Sequence, residues 1–573
     1  MLELRYLVIV ERYLSVYSRR LTQKIVVEDD NENRGILKYF SIFIGSLSFL
    51  ALLSILLIQF IFSYSQSKTT VFEVNNPILV FLSFILFVVL QFLIYKILKL
   101  SKVSTESFRR VLLVFTLIVG IGISIMFYSA PIFDVRSVMN GLLSDSSRAI
   151  TYAEYYPNNL GIILLYHGIF KLFGRQSWTL MYVINIASVV GIFQLLPSLS
   201  KLVTKDENVE RVCIQLLFFA TPFIFTVSYL YNDLIALFFT LLSLVLLLRF
   251  TTRNESKLLN VVLSGFSLSV AYILRTNTLI FVIGIIIYLI LRMIKDKKFS
   301  INHQLSFLPI LILFIVQLMF NLSISSVIPN YTKEYSQPST AWIAMSLADK
   351  KDLEGLSYQK PGMFNGFEDW AYSQYQKDNQ KDSKKYIYDV EGRKDIYNKY
   401  IQKRLKYFVS HPLQAIKFYS QKEVASWGDA SFNGNNLLKT SYENQAKIYS
   451  TLPFSSIATQ NLILKNNVSF YEEQKDRMQS PIARYIISTN SILTYIQRPF
   501  LILIVLSTML LLIKSRLQLH LETLLLLLIF FGGFVFHEFI WETQPRYFLP
   551  YLALLIPLTA AGLNKIIYRK KTA

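Results

Sequence analysis

The sequence predicts an all-α polytopic membrane protein with about 12 transmembrane helices, one further re-entrant or interfacial helix and a mostly helical extracytoplasmic domain. Of the 573 residues, 53% are hydrophobic, and apolar runs of roughly 20 residues, the length that crosses a bilayer, recur along the chain. Lys and Arg cluster in the short segments between these runs. The net charge of +21 therefore indicates membrane orientation, and nucleic-acid binding is disfavoured because no basic helix or aromatic platform lies outside the membrane pattern.

The N-terminal segment, residues 1–36, interrupts its apolar residues with charges such as Glu3 and Arg5, which suits a helix at the cytoplasmic surface better than a span. The spans follow it in order. Their approximate bounds are 37–62, 77–98, 111–129, 178–199, 211–231, 233–250, 258–274, 277–293, 305–327, 499–513, 517–537 and 548–568. The single cysteine, Cys213, lies in one of these runs, so it is interpreted as a buried apolar residue, and the chain alone builds no disulfide framework or thiolate metal site.

Loop charge predicts the orientation of these spans. Basic residues at the ends of several spans, for example Lys99 and Lys514, mark the cytoplasmic side, so both termini are expected in the cytoplasm. The alternation is consistent only if residues 160–199 cross the membrane once. The run 160–173 has about 14 residues, which is short for a span, and we expect it to be re-entrant or interfacial on the outer side.

Residues 328–498 form the other large feature, predicted as an extracytoplasmic domain. The segment is rich in Tyr, Lys, Asp, Asn, Gln and Ser, and its apolar residues recur at spacings of three and four, which is typical of helices. Ser410 is expected to cap a helix whose first turn contains Pro412. Trp342, Trp370 and Trp427 are candidates for stacking on sugar rings, with the alternative that each belongs to a domain core.

Polar side chains gather in four loops that the predicted topology places at the outer lip of the membrane. Any one arginine there could simply reach the lipid headgroups, but four loops supplying acids, amides and arginines together indicate a site. The residues are Asp134 and Arg136; Tyr231 and Asp233; Arg275; and His537, Glu538, Trp541, Glu542 and Arg546.

The order of these motifs resembles the GT-C superfamily of integral membrane glycosyltransferases, and within it the bacterial glycosyltransferase 39 type. The resemblance covers residues 111–327 and 499–568 and is carried by "FDVRSVMNG", "YYPNNLGIILLYHGIFKLFG", "LYND", "LRTN" and "WETQPRYFLPYLALLIP". It implies a polyprenyl-phosphate-linked sugar donor and an extracytoplasmic acceptor, such as a cell-wall polymer, a glycan or a teichoic acid of a bacterium. Val135 follows Asp134 where many relatives carry an Asp-Glu pair, which leaves a divalent cation (Mg or Mn) open.

The predicted spans and their orientation divide the chain into an N-terminal transmembrane domain, 37–327, with a catalytic outer loop at 130–159; the extracytoplasmic domain, 328–498; and C-terminal transmembrane helices, 499–573. A lipid-linked sugar presents its glycosyl phosphate at headgroup level, so a general base must stand at the membrane lip, and Asp134 stands there. Arg275, Arg546 and then Arg136 are the candidates for holding the leaving phosphate. Asp233, Glu538, Tyr231, His537, Trp541 and Glu542 are expected to bind the acceptor or support the site.

Several alternatives remain open at this stage. Asp134 could instead order its loop by pairing with Arg136. A lipid or oligosaccharide flippase would show repeated halves and polar residues near the bilayer midplane, whereas these acids and arginines favour the outer lip. An assembly scaffold would tolerate loss of Asp134, and a polymerase of lipid-linked polysaccharide would use a similar membrane setting.

Overall fold

The computed structural model of the protein describes residues 35–64, 72–129, 131–142, 151–252, 258–296, 300–328, 330–350, 353, 360–363, 366–379, 385–444, 481–488 and 490–567. The predicted cytoplasmic segment, 1–36, falls almost wholly outside these residues. Residues 143–150, which are part of the predicted outer loop, also lie outside the described residues.

The described chain is helical apart from one short hairpin, in which β1 (Phe62–Tyr64) pairs antiparallel with β2 (Phe72–Val74). The helices of its first part are α1 Gly35–Ile61, α2 Pro77–Leu100, α3 Thr105–Met126, α4 Asp134–Met139, α5 Tyr152–Tyr155, α6 Leu160–Phe173, α7 Leu180–Thr204, α8 Glu207–Leu217, α9 Thr221–Phe225, α10 Asp233–Thr252, α11 Leu258–Leu274, α12 Leu279–Asp296, α13 Ile301–Ser306 and α14 Leu308–Val327. The helices of its second part are α15 Thr340–Ser346, α16 Phe367–Asn379, α17 Val390–Ser410, α18 Pro412–Trp427, α19 Gly434–Asn444, α20 Pro481–Ser488, α21 Asn490–Lys514, α22 Leu521–Val535 and α23 Leu549–Ile567.

The protein is a multi-pass membrane protein, as the sequence predicts. By length and composition, ten helices of the described chain can cross a membrane, or eleven if the bent pair α8 and α9 forms one span. The apolar helix α11, with 17 residues, is the remaining predicted span. The run 160–173 forms the 14-residue helix α6, which has the length that the sequence predicts.

One predicted span is not continuous. The sequence predicts that residues 211–231 cross as a single helix, but α8 ends at Leu217 and the chain bends by 51° before continuing through α9. Pro222 lies in the first turn of α9, where its missing N–H costs nothing and its fixed φ favours a helix start. The predicted span is therefore a helix that ends at Leu217 and restarts at Thr221.

Local sequence explains several helix ends. Asn76 caps α2, because its side chain accepts hydrogen bonds from the backbone N–H groups of Ile78 and Leu79, and Pro77 follows as the first helical residue. The sequence predicts Ser410 as the cap of α18, but Ser410 is the last residue of α17, and His411 is the N-cap residue of α18. The Ser410 hydroxyl instead donates to the carbonyl of Lys406, one turn back along α17.

The helices pack into one apolar core around α7, α10 and α23, whose inward residues are almost fully buried. α6 approaches α11 so closely that a Cβ at Gly161 would lie 2.0 Å from the carbonyl oxygen of Ile273. The segment predicted as an extracytoplasmic domain is helical where it is described, and a second apolar cluster joins α15, α16, α17 and α18. The described residues of this segment hydrogen-bond to loops at one end of the helix bundle, Gln337 to Tyr155 and Gly362 to Thr543, and we call this the covered end.

Candidate active site

A cavity of about 400 Å³ opens at the covered end of the bundle. Its lining comes from the outer loop, from the starts of α10 and α12, from α15 and from the segment between α22 and α23. The lining residues include Asp134, Tyr152, Tyr156, Tyr231, Arg275, Trp342, Met345, Trp541, Glu542, Arg546 and Tyr547. Four separate loops that the sequence places at the membrane lip therefore meet in one cavity.

Each charged residue of the site sits where a helix begins or is interrupted. Asp134 and Asp233 are the first residues of α4 and α10. Arg275 lies between α11 and the single turn Thr276–Thr278, and Arg546 lies in the turn that precedes α23. Charged side chains are costly in the hydrocarbon core of a membrane, so they occur at helix ends, where the chain leaves that core. Helix ends at the same depth bring these charged side chains together.

Two arginines and two aspartates form the centre of the site, which we call the arginine cluster: Asp134, Asp233, Arg275 and Arg546. Arg275 forms an ion pair with Asp233. The Arg546 guanidinium lies 3.8 Å from the Asp233 carboxylate and 3.6 Å from that of Asp134. The side chain of Asp233 is 5% exposed, whereas that of Asp134 is 55% exposed. Asp233 therefore acts as a buried counter-ion, and Asp134 faces the solvent of the cavity.

Tyrosine rings hold the arginines in place. The guanidinium of Arg546 donates a 2.6 Å hydrogen bond to the Tyr229 hydroxyl and lies 5.0 Å from the centre of the Tyr229 ring. It also lies 5.4 Å from the ring centres of Tyr231 and Tyr547, and Arg275 is at the same distance from the Tyr547 ring. Such cation–π contacts keep a buried guanidinium charged and oriented.

Comparison with known proteins adds to this geometry. The model of one protein family, described as a conserved hypothetical integral membrane protein, matches residues 30–337, more than half of the chain. The chain belongs to this family. A search of curated proteins returned no match.

Solved structures similar to this integral membrane protein include two from other organisms. One is the archaeal oligosaccharyltransferase AglB from Archaeoglobus fulgidus, in complex with an inhibitory peptide and a dolichol-phosphate, at 10% identity and a TM-score of 0.39. The other is ArnT from Cupriavidus metallidurans, bound to undecaprenyl phosphate, at 12% identity and a TM-score of 0.32. Each match covers 81% of this chain, with 50% of the AglB chain and 79% of the ArnT chain. The chain thus spans half the length of AglB.

In this integral membrane protein, Glu542 and Tyr231 line the cavity, and their roles there stay predictions. The Tyr547 hydroxyl donates a 2.8 Å hydrogen bond to the Glu542 carboxylate, and burial raises the pKa of Glu542 to about 7. Tyr231 donates a 2.6 Å hydrogen bond to the side-chain oxygen of Asn159, which ties the start of α10 to the start of α6. Both residues support the cavity wall.

Three predicted site residues lie elsewhere. Arg136 is exposed on α4 and does not line the cavity. Within the described part of the chain, Asp134 forms an ion pair with Arg546. His537 and Glu538 are buried behind the cavity wall, 1% and 3% exposed. Both lie in a widened helical turn, Phe536–Ile540, and neither lines the cavity. His537 packs against Tyr547 there.

Sequence reasoning does not assign Tyr547, Tyr152 or Trp342 to the site, although Trp342 is a candidate for sugar stacking. Tyr547 directly follows Arg546. An aromatic residue next to an arginine at the membrane lip is the sequence signal that could have assigned Tyr547 to the site. Trp342 lies about two hundred residues away in sequence from Trp541, its partner in the cavity wall, so no local pattern could connect them.

A divalent cation stays a prediction from the family resemblance. Within the described residues, no group of three or more His, Cys, Asp or Glu side chains is arranged to hold a metal ion. The two aspartates of the arginine cluster also do not fit one, because both face guanidinium groups.

Proposed function

We propose that this protein is a GT-C-type glycosyltransferase that moves a sugar, with inversion, from a polyprenyl-phosphate-linked donor to an extracytoplasmic acceptor such as a cell-wall polymer, a glycan or a teichoic acid. The observation that carries the proposal is the arginine cluster, in which two arginines and the accessible carboxylate of Asp134 border one cavity. Arg275 and Arg546 supply positive charge for a phosphate, and the exposed Asp134 borders the same cavity.

The donor phosphate is the natural ligand of the two arginines. Asp233 neutralises one of their two charges, so the cluster without Asp134 keeps a net positive charge of about one, which suits the phosphodiester of a lipid-linked sugar. When the sugar leaves, the lipid phosphate gains a second negative charge. Arginines already fixed by tyrosine and Asp233 meet that charge without reorganising, which stabilises the transition state.

Asp134 serves as the general base in this mechanism. The side chain of Asp134 is 55% exposed and borders the cavity, so its carboxylate is accessible to an acceptor hydroxyl bound there. The proton of that hydroxyl passes to Asp134, and the acceptor oxygen attacks the anomeric carbon. The bond between that carbon and the phosphate oxygen breaks, and the polyprenyl phosphate leaves with the electron pair on the opposite face of the sugar.

We take the covered end of the bundle to be extracytoplasmic. At the opposite end, Lys99 lies in the last turn of α2 and Lys102 follows that helix, while Lys514 is the last residue of α21 and Arg516 follows it. The positive-inside rule assigns such ends to the cytoplasm. The arginine cluster then lies at the level of the outer lipid headgroups, where the glycosyl phosphate of a donor resides.

The test is transfer of radiolabelled sugar in membranes loaded with polyprenyl-phosphate monosaccharides, comparing wild type with Asp134→Asn at equal folded amounts. We expect Asp134→Asn to lower transfer by about 10²- to 10⁴-fold, the usual contribution of a general base, while donor binding is retained. Asp206→Asn is the matched control, because Asp206 caps α8 near the C-terminal end of α23, at the far end of the bundle.

Unchanged transfer by Asp134→Asn would reject the base assignment and move attention to Asp233. A wild type that transfers no sugar from any donor would reject the enzyme class and favour a flippase or a scaffold. Products longer than one added sugar would favour the polymerase.

A further inference from the structure

We propose that Trp342, stacked on Trp541, forms a platform for a pyranose ring in the cavity and so helps to determine which sugar the protein accepts. This inference rests on the proposed function and specifies its substrate contact. The two indole rings lie 5.6 Å apart between centres and are almost parallel, at 6°. Both residues line the cavity that contains Arg275 and Arg546.

The other tryptophans of the chain have different surroundings. Trp427 is fully buried between Phe432 and Phe548, and Trp178 is buried against Tyr128. Trp370 packs against the rings of Phe367 and Tyr400 within the core of the helical segment 340–427. All five tryptophans lie in the described part of the chain. Of these five, only Trp342 and Trp541 are half-buried and also line the cavity.

The position of the platform is set by contacts that do not depend on a ligand. The Trp541 ring also stacks on Phe536, at 5.4 Å and 20°, and the Tyr156 ring meets that of Trp342 edge-on at 6.4 Å. A surface whose aromatic rings are already ordered loses little conformational entropy on binding. Pyranose rings present C–H bonds on one face, and these pack against the electron-rich face of an aromatic ring.

A buried ammonium group connects the two halves of the platform. Lys422 of α18 is fully buried, and its Nζ donates to the carbonyl of Trp541 at 2.9 Å and to that of Ser346, in the helix of Trp342, at 3.1 Å. Its side chain runs past Gly362, where a Cβ would lie 2.5 Å from the Lys422 Cε. Lys422 is therefore a positioning residue that joins α15 to the segment bearing Trp541.

The same wall is tied down beside Trp541. The backbone N–H of Thr543 donates to the carbonyl of Gly362 at 2.9 Å, and the hydroxyls of Ser426 and Thr543 are 2.7 Å apart. The segment that carries Trp541, Glu542 and Arg546 is thus held on α18 and on residues 360–363. Because the phosphate-binding arginine and the platform share this segment, the sugar ring and its phosphate would be held at a fixed spacing.

Two sources could supply the ring, the donor sugar and the acceptor glycan, and binding measurements separate them. Affinities of the purified protein in nanodiscs are measured for undecaprenyl phosphate, for undecaprenyl phosphate carrying glucose, galactose or mannose, and for free maltopentaose. For Trp342→Leu we expect binding of one sugar-bearing ligand to weaken by about five- to ten-fold, with undecaprenyl phosphate unaffected. Trp342→Phe keeps an aromatic ring and should retain most of the affinity for that ligand. If Trp342→Leu does not fold, the affinity of Trp342→Phe is compared with that of the wild type instead.

Trp370→Leu, the same change outside the cavity, is the control and should bind all ligands as the wild type does. Loss of affinity for a lipid-linked hexose assigns the platform to the donor, and loss for maltopentaose assigns it to the acceptor. Equal affinities of wild type and both Trp342 variants for every sugar-bearing ligand would overturn the platform. If wild type binds no undecaprenyl phosphate, the proposed function fails, and the platform is then judged on maltopentaose alone.

Discussion

Asp233→Asn and Asp134→Asn make the same chemical change on two carboxylates that both face Arg546, yet the structure predicts very different effects on stability. Asp233 is 5% exposed and lies against Arg275 and Arg546, whose side chains are 13% and 11% exposed. Removing one partner of a buried ion pair leaves the other charge uncompensated, which typically costs about 3 to 5 kcal/mol.

The amide side chain introduced by Asp233→Asn would still accept a hydrogen bond, so we expect this change to lower the free energy of unfolding by about 3 kcal/mol, the lower end of that range. Asp134 is 55% exposed, and its 3.6 Å separation from Arg546 is longer than a hydrogen bond. Water screens this pair, so Asp134→Asn should cost no more than about 1 kcal/mol.

The assay is unfolding of the purified protein by SDS in mixed micelles, followed by circular dichroism and tryptophan fluorescence, with Asp206→Asn as the control at the opposite end of the bundle. The expected order of stability is wild type, then Asp134→Asn close behind, then Asp233→Asn well below. If the two aspartate variants unfold within about 1 kcal/mol of each other, Asp233 is not the buried counter-ion of the arginines and the account of the cluster is wrong.

Two further predictions test the packing and the electrostatics. Gly161→Ala should destabilise the protein by about 2 kcal/mol, because its Cβ would meet the Ile273 carbonyl at 2.0 Å. Gly168→Ala on the same helix, with open space around it, should stabilise the protein by about 0.5 to 1 kcal/mol, because alanine favours a helix over glycine. Thermal unfolding of both variants checks this, and equal effects would contradict it. Burial raises the pKa of Glu542 to about 7, above its unfolded value of 4.5, so its contribution to stability is present below pH 4.5 and is lost as the pH rises through 7. Glu542→Gln should therefore flatten the decline in melting temperature between pH 5 and pH 8, and an unchanged slope would count against the raised pKa.

The sequence by itself determined the membrane architecture of this protein. Hydrocarbon excludes unpaired backbone groups and charges, so runs of about 20 apolar residues are helices, and the short run at 160–173 is a helix of 14 residues. The same cost places the charged residues at helix ends. Asp134, Arg275 and Arg546 could therefore be nominated together from one sequence, and the structure brings all three to one cavity.

Tertiary structure decided how those side chains pair. Burial of Asp233, exposure of Asp134 and the choice of Arg546 over Arg136 depend on the relative positions of helices far apart in sequence. The stacking of Trp342 on Trp541 likewise joins distant segments. Hydropathy and capping act over a few neighbouring residues, and they carry no information on which helix ends meet. Packing of the whole bundle supplies that information, and it separates the residues that line the cavity from those, such as Glu538, that lie behind it.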